Sequence, residues 1–116
     1  MIRAEPRVWH GLAASSGRAI GEASVLRGTD GVVHLPPGTI LVARILHPHL
    51  GPLMCRVAGL VLEEGALLQH ATVLAREFGV PAVVGVAGAT QIISDGDLVE
   101  VSGGTGEVLL WSSAES

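Results

Sequence analysis

The chain has 116 residues, of which 48% are apolar, and a formal net charge of −4, so it is long enough to form one domain with a buried core. Its seven basic residues are all arginine, and it therefore lacks the lysine amine that Schiff-base chemistry and the usual phosphate-binding loop require. An acidic chain with scattered arginines is also unsuited to nucleic acid, whose binding needs a clustered basic face.

The amino-terminal part of the chain shows short apolar runs separated by turn residues. Residues 1–7 have the composition of a polar lead-in or a linker stub. In residues 8–26, apolar stretches alternate with glycine, which predicts a strand, a turn at residues 15–17 and a second strand. Residues 39–44 are rich in aliphatic and β-branched side chains and predict a further strand.

The middle of the chain alternates between helical and extended patterns. Residues 50–57 predict a short helix with a proline near its start. Residues 59–63 are nearly all aliphatic, as in a strand that is buried on both faces. Residues 69–78 then carry one apolar stripe, and the predicted helix ends at Gly79 and is closed off by Pro81.

The carboxyl-terminal part predicts strands alone. Residues 82–86 predict a core strand, and residues 98–101 and 107–110 predict a hairpin across a glycine-rich turn. This order of strands and helices predicts an α/β fold, with a mixed sheet, packed helices and a C-terminal β-hairpin. The predicted domain covers residues 8–111, and residues 112–116 are a predicted tail.

The cysteine content and the longest uncharged segment give information about the cellular location of the protein. The single cysteine, Cys55, cannot form an internal disulfide, and the chain opens without a signal-peptide pattern. Residues 78–94 are uncharged, but glycines and a proline interrupt them, and they are fewer than the roughly 20 apolar residues that a bilayer span needs. The sequence therefore predicts a cytoplasmic location and no membrane partner.

His70 lies where a glycine-containing loop meets the first turn of the predicted helix over residues 69–78. Unpaired backbone N–H groups and the positive end of the helix dipole make such a place suited to holding a phosphate. At about 100° per residue, His70 flanks the apolar stripe, so its imidazole should reach outward from the rim of the domain. His70 is therefore a candidate phosphohistidine, although a lone histidine at a helix start is more often an exposed cap or a packed polar residue.

The residues around His70 also form an extended motif. In order they are Gly65, His70, Ala71, Ala75, Arg76, Glu77, Gly79, Pro81, Ala82, Val83 and Gly85. This motif resembles the swivelling phosphohistidine domain, or mobile domain, of the phosphoenolpyruvate (PEP)-utilising enzymes. That family includes pyruvate phosphate dikinase, phosphoenolpyruvate synthase, Enzyme I of the sugar phosphotransferase system and rifampicin phosphotransferase.

The resemblance implies a swivelling β/β/α fold and a role as a phosphohistidine carrier. His70 would accept a phosphoryl group from a nucleotide- or PEP-binding partner and deliver it at a second active site. The residues that the resemblance places around the phosphate or its loop are Gly65, Ala66, Leu68, Gln69 and Ala71, with possible support from Glu63 and Arg76.

The resemblance also implies partners for a domain that is not active alone. These would be a nucleotide-binding, ATP-grasp-like domain and a domain that binds pyruvate or another acceptor, in the same chain or a separate one. Mg²⁺ with ATP, or phosphoenolpyruvate, would be bound by those partners, and this domain would bind no cofactor itself. His47 and His49 flank Pro48, but no third ligand of suitable spacing follows, so no metal site is predicted.

Three residues depart from the family pattern. Leu68 and Gln69 stand where the family usually has Thr-Ser, and Leu62 stands where it often has threonine. The lost hydroxyls could have donated hydrogen bonds to a phosphate or capped the helix, and leucine does neither. The alternative function is therefore a binding or regulatory module of the same fold with impaired phosphotransfer.

Overall fold

The computed structural model describes residues 6–26, 35–46, 48–65 and 70–111. Within those ranges the chain forms eight strands, two α-helices and one 3₁₀ helix, and no helix is long and apolar enough to cross a bilayer. The predicted tail, residues 112–116, lies outside them. In chain order the elements are β1 (Arg7–His10), β2 (Leu12–Ser15), β3 (Arg18–Leu26), β4 (Thr39–Ala43), the 3₁₀ helix (Pro48–Cys55), β5 (Val57–Leu62), α1 (His70–Phe78), β6 (Ala82–Val84), α2 (Ala89–Ile92), β7 (Leu98–Ser102) and β8 (Glu107–Leu110).

The eight strands form one mixed sheet in the order β1-β8-β7-β3-β4-β5-β6-β2. The four strands β3, β4, β5 and β6 are parallel to their neighbours within that run, and the remaining pairs are antiparallel. The predicted carboxyl-terminal hairpin is confirmed, since β7 and β8 pair from Val99↔Leu110 to Ser102↔Glu107. The chain thus has the predicted α/β fold of a swivelling domain, with a mixed sheet and few helices.

The central parallel strands are covered on both faces, as their aliphatic sequence predicts. Leu41 of β4 and Leu60 and Leu62 of β5 are fully buried in a cluster with Ala71 and Ala75 of α1. The alternate residues of the same strands lie in a second cluster on the other face, with members from α2, β7 and β8. Because side chains alternate along a strand, one aliphatic segment supplies both cores. The buried residues of this second cluster include Ile40, Val42, Val61, Val83, Ala89, Val99 and Val101.

Helix α1 begins at His70 and ends at Phe78, so the prediction for residues 70–78 is confirmed, while residue 69 lies outside the described residues. At its end, the N–H of Gly79 donates to the carbonyl of Arg76 and the N–H of Val80 donates to the carbonyl of Ala75. These bonds satisfy carbonyls of the last turn, which is the usual effect of a glycine after a helix.

The first predicted strand is split in two at Gly11. β1 pairs with β8 at one edge of the sheet, whereas β2 pairs with β6 at the other edge. A Cβ at Gly11 would lie 2.3 Å from the carbonyl oxygen of Val84. Only a glycine permits this close backbone approach, and the chain changes edges there.

The short helix predicted over residues 50–57 is present, but its bounds differ and it is a 3₁₀ helix. Pro48–Cys55 is a 3₁₀ helix, and Val57 already begins β5. Pro52 lies inside this helix and has no backbone N–H, so it cannot donate the i−4 bond of an α-helix. The four-residue helix α2 (Ala89–Ile92) was not predicted at all.

Candidate functional site

His70 is the first residue of α1 and its side chain is exposed. The next two residues, Ala71 and Thr72, are 1% and 0% exposed, so the helix is anchored in the core directly after His70. The first turn of α1 contains no acidic side chain. The positive end of the helix dipole beside the imidazole is therefore not offset by a carboxylate of that turn.

Glu63 is the residue that directly follows β5. Its Oε2 atom accepts two hydrogen bonds from Thr90 in α2, one from the backbone N–H at 2.8 Å and one from Oγ1 at 2.6 Å. Both residues are half-buried. The carboxylate of Glu63 is thus engaged with α2, which packs on the sheet face opposite to α1.

The backbone beyond Glu63 is held by the segment that follows β6. The N–H of Gly85 donates to the carbonyl of Glu64 at 3.0 Å, and the N–H of Val86 donates to the carbonyl of Leu62 at 3.1 Å. Gly65 is exposed, and a Cβ there would lie 3.5 Å from the Cα of Gly85. The end of β5 and the end of β6 are therefore in direct backbone contact.

Glu64 and Arg44 form an ion pair at the same end of the sheet. Nη1 of Arg44 lies 3.2 Å from Oε2 of Glu64, and the side chains are 62% and 51% exposed. The N–H of Glu64 also donates to the carbonyl of Arg44. The side chains of this pair are therefore exposed to solvent, whereas the half-buried side chain of Glu63 contacts α2.

Arg76 lies near the other end of α1, six residues or about 9 Å along the helix axis from His70. Its Nε donates to the carbonyl of Ala14 in β2 at 2.7 Å. The structure thus places this predicted supporting residue in a contact between α1 and the edge strand β2. The described contacts do not bring it to the imidazole.

Three predicted loop residues, Ala66, Leu68 and Gln69, lie outside the described residues, as does His47 of the metal alternative. Among the residues that the structure describes, no group of three or more His, Cys, Asp or Glu side chains is arranged to hold a metal ion. The apolar residues around Cys55 in the sequence predict a core position for it, but the structure places it exposed.

Thr90 is the polar residue of this region that the sequence reasoning missed. It is 27 positions from Glu63 in the chain and lies in a helix of only four residues, which gives no periodic pattern. The alternation of β5 carried a usable signal, because it places residue 63 on the same face as Val61 and thus toward α2.

Comparison with known proteins adds the family context. The model of the family described as "PEP-utilising enzyme, mobile domain" matches residues 35–106, a segment that contains His70. The chain is 49% identical over 100 residues to chondramide synthase cmdD of Chondromyces crocatus and 44% identical over 102 residues to a rifampicin phosphotransferase of Streptomyces sp. These matches cover 86% and 88% of the chain, but only 3% and 12% of the two relatives.

Among solved structures, an Enzyme I protein (nEIt) superimposes with a TM-score of 0.57 and 30% sequence identity. The superposition covers 71% of this chain and 32% of that one. The chain thus spans a small part of each of these proteins.

Proposed function

The chain belongs to the PEP-utilising enzyme mobile-domain family, and we propose that it carries a phosphoryl group on His70 between two active sites. The observation that carries this proposal is the exposed imidazole at the first residue of α1, inside the segment that matches the family. The helix dipole and the backbone N–H groups at this end would stabilise the phosphoryl dianion after transfer.

The proposed reaction is two successive displacements at phosphorus. An unprotonated ring nitrogen of His70 attacks the phosphorus of a phosphoric anhydride or an enol phosphate, and a P–N bond forms. The P–O bond to the leaving group breaks, and its electron pair departs with that oxygen, while the other ring nitrogen keeps its proton. In the second step an acceptor oxygen, whose proton has passed to a base of the acceptor site, attacks the phosphorus, and the P–N bond breaks to return neutral imidazole.

We propose that the phosphoryl donor and the acceptor of this scheme bind to other domains. The chain corresponds to 12% of the length of the related rifampicin phosphotransferase, so most of such a protein is available for other domains. We assign to those domains the binding of Mg²⁺ with ATP or of phosphoenolpyruvate, and of pyruvate or another acceptor. In this scheme His70 transfers phosphate only when a partner domain reaches it.

The experiment uses two phosphoryl sources and site-resolved mass spectrometry under non-acidic conditions. One source is potassium phosphoramidate, which phosphorylates imidazole without a protein. The other is MgATP or phosphoenolpyruvate with the Streptomyces rifampicin phosphotransferase from which the segment matching this chain has been deleted. We expect an acid-labile adduct of about 80 Da on His70, which disappears in His70→Ala and persists in His10→Ala.

His10 is the matched control because its imidazole is also exposed, at 69%, and lies on β1 beside Glu107. Failure of the enzymatic source to label His70, with the folded chain present, would overturn the carrier function. Labelling of His70 by phosphoramidate no faster than labelling of His10 would overturn it as well.

The second candidate function is a binding or regulatory module that does not transfer phosphate. The observation that favours it is Leu62, which is 0% exposed and packed in the α1 core where the family often has a threonine. A buried leucine offers no hydrogen bond to a phosphate or to an imidazole. The same experiment separates the two functions, because the module predicts no His70 adduct from the enzymatic source.

A further inference from the structure

The solvent-facing side of α1 carries His70 and two further residues in line with it. Side chains three and seven positions apart in an α-helix lie on one face, which places Val73 and Glu77 on the face of His70. All three side chains are exposed, whereas Ala71 and Ala75 on the other side of the helix are buried in the core. We call His70, Val73 and Glu77 together the histidine face of α1.

Val73 is 42% exposed and is the apolar neighbour of His70 on this face. A single exposed valine needs no explanation in general, but Cβ atoms three positions apart on a helix are only about 5–6 Å from each other. Phosphoryl transfer requires the ring nitrogen to come within about 3–3.5 Å of the phosphorus. A partner surface that encloses the imidazole at this distance therefore also covers Val73.

Phe78, the last residue of α1, extends the apolar part of this surface. It is the single phenylalanine of the chain, and its side chain is 51% exposed. Glu77 and Phe78 lie about 10 and 12 Å along the helix axis from His70. A protein interface of standard size buries about 800 Å² on each partner, a patch roughly 30 Å across. A contact centred on His70 thus includes both residues, and aromatic side chains are enriched in such contacts.

Glu77 gives the histidine face a negative charge. Among the residues that the structure describes, none forms an ion pair with Glu77, and the whole chain carries a net charge of −4. A site that holds a nucleoside triphosphate is lined by cationic side chains and Mg²⁺, which neutralise the phosphate oxygens. The rim of such a site is therefore complementary in charge to Glu77, and this attraction steers the encounter.

We propose that the histidine face docks on the rim of a partner domain that holds MgATP, with Val73 against an apolar part of that rim and Glu77 against a cationic part. The inference rests on the proposed carrier function of His70. It adds the surface by which the donor site recognises the carrier. Helix geometry alone links the three residues, because all of them lie in α1.

The test is the kcat/KM for transfer from MgATP to His70, with the full chain as the varied substrate and the segment-deleted Streptomyces rifampicin phosphotransferase as the enzyme. Each value is divided by the rate constant of phosphoramidate labelling of the same variant, which measures the intrinsic reactivity of the imidazole. Val73→Asp should lower this ratio by at least about tenfold, because it places a charge against an apolar surface. Glu77→Lys should lower it by about tenfold at low salt and by less at high salt, which screens the attraction.

The matched controls carry the same two changes on strands of the sheet, outside α1. Val8 in β1 is 45% exposed, and Glu22 in β3 is exposed as well. Val8→Asp and Glu22→Lys should keep the wild-type ratio, and Glu22→Lys alters the net charge exactly as much as Glu77→Lys does. Circular dichroism confirms that each variant is folded, and Val73→Ser provides a milder change at the same position.

The outcomes separate the inference from the function beneath it. An unchanged ratio in Val73→Asp and Glu77→Lys overturns the docking inference and leaves the carrier function standing. A loss in Glu22→Lys as large as in Glu77→Lys assigns the effect to net charge and overturns it too. So does a dimer in sedimentation that Val73→Asp dissociates, since a second copy then covers the face, or labelling from phosphoenolpyruvate but not from MgATP. If the enzymatic source does not label wild-type His70 at all, the carrier function fails and the inference with it.

Discussion

The interior of β5 and the residues just beyond its end behave as two different regions of the molecule. Leu60, Val61 and Leu62 are all 0% exposed and contact apolar neighbours on both faces of the sheet. Glu63, only one residue further on, accepts directed hydrogen bonds from Thr90. Burial stabilises the interior largely without regard to direction, whereas the residues just after the strand are held by hydrogen bonds between particular atoms.

The largest expected change in stability comes from the interior. Leu60→Ala should lower the free energy of unfolding by about 2–5 kcal/mol, because it removes buried methyl groups and leaves a cavity. Urea unfolding followed by circular dichroism measures this, with Val73→Ala on the exposed face of α1 (42% exposed) as the control. In the protein that remains folded, the rate of His70 phosphorylation should be unchanged. A slower rate of His70 phosphorylation in folded Leu60→Ala would contradict the claim that the two regions act independently.

Two glycines that face each other at the strand ends should respond differently to alanine. Gly85 has a φ of 75°, a left-handed conformation that costs an L-residue about 1–2 kcal/mol. Gly65 has no such φ, and a Cβ there would meet Gly85 at 3.5 Å, an ordinary contact. Thermal unfolding should therefore show Gly85→Ala destabilised and Gly65→Ala nearly unchanged. Equal melting temperatures for the two variants would contradict the geometry described for the strand ends.

Alanine variants of two arginines should differ in stability, because one arginine makes a contact between elements and the other forms an exposed ion pair. Arg76→Ala removes the hydrogen bond from Nε to the carbonyl of Ala14 and should cost about 1 kcal/mol in urea unfolding. Arg44→Ala removes an exposed ion pair with Glu64, and its expected cost is about 0–1 kcal/mol.

Neither arginine variant should change the rate at which phosphoramidate labels His70. A large loss of labelling in Arg76→Ala at full stability would place this guanidinium at the phosphate, as the family resemblance allows. That result would contradict the assignment of Arg76 to the contact between α1 and β2 alone.

The sequence predicted the elements whose patterns are local. The aliphatic run of β5, the stripe of α1 with Gly79 after it, and the hairpin of β7 and β8 each show in a few consecutive residues, and all are present. It could not predict that β1 and β2 lie at opposite edges of the sheet, or that Gly11 between them lies close to the carbonyl of Val84, which is far away in the chain. Long-range contacts of this kind leave no mark on local periodicity.

The same division holds at the candidate site. His70 was singled out from its neighbours in the sequence, and the structure places it exposed at the start of α1. Thr90 could not be found in this way, because its bonds to Glu63 join two segments that only the folded sheet brings together.

The most direct test of the carrier function compares His70 with His10 in one sample. The folded chain is treated with phosphoramidate, and site-resolved mass spectrometry follows both exposed imidazoles over time. The account predicts that His70 is phosphorylated faster than His10, since only His70 adjoins the amino end of a helix. A His70 that gains no phosphate, or gains it no faster than His10, would contradict the claim that this end of α1 is built to carry a phosphoryl group.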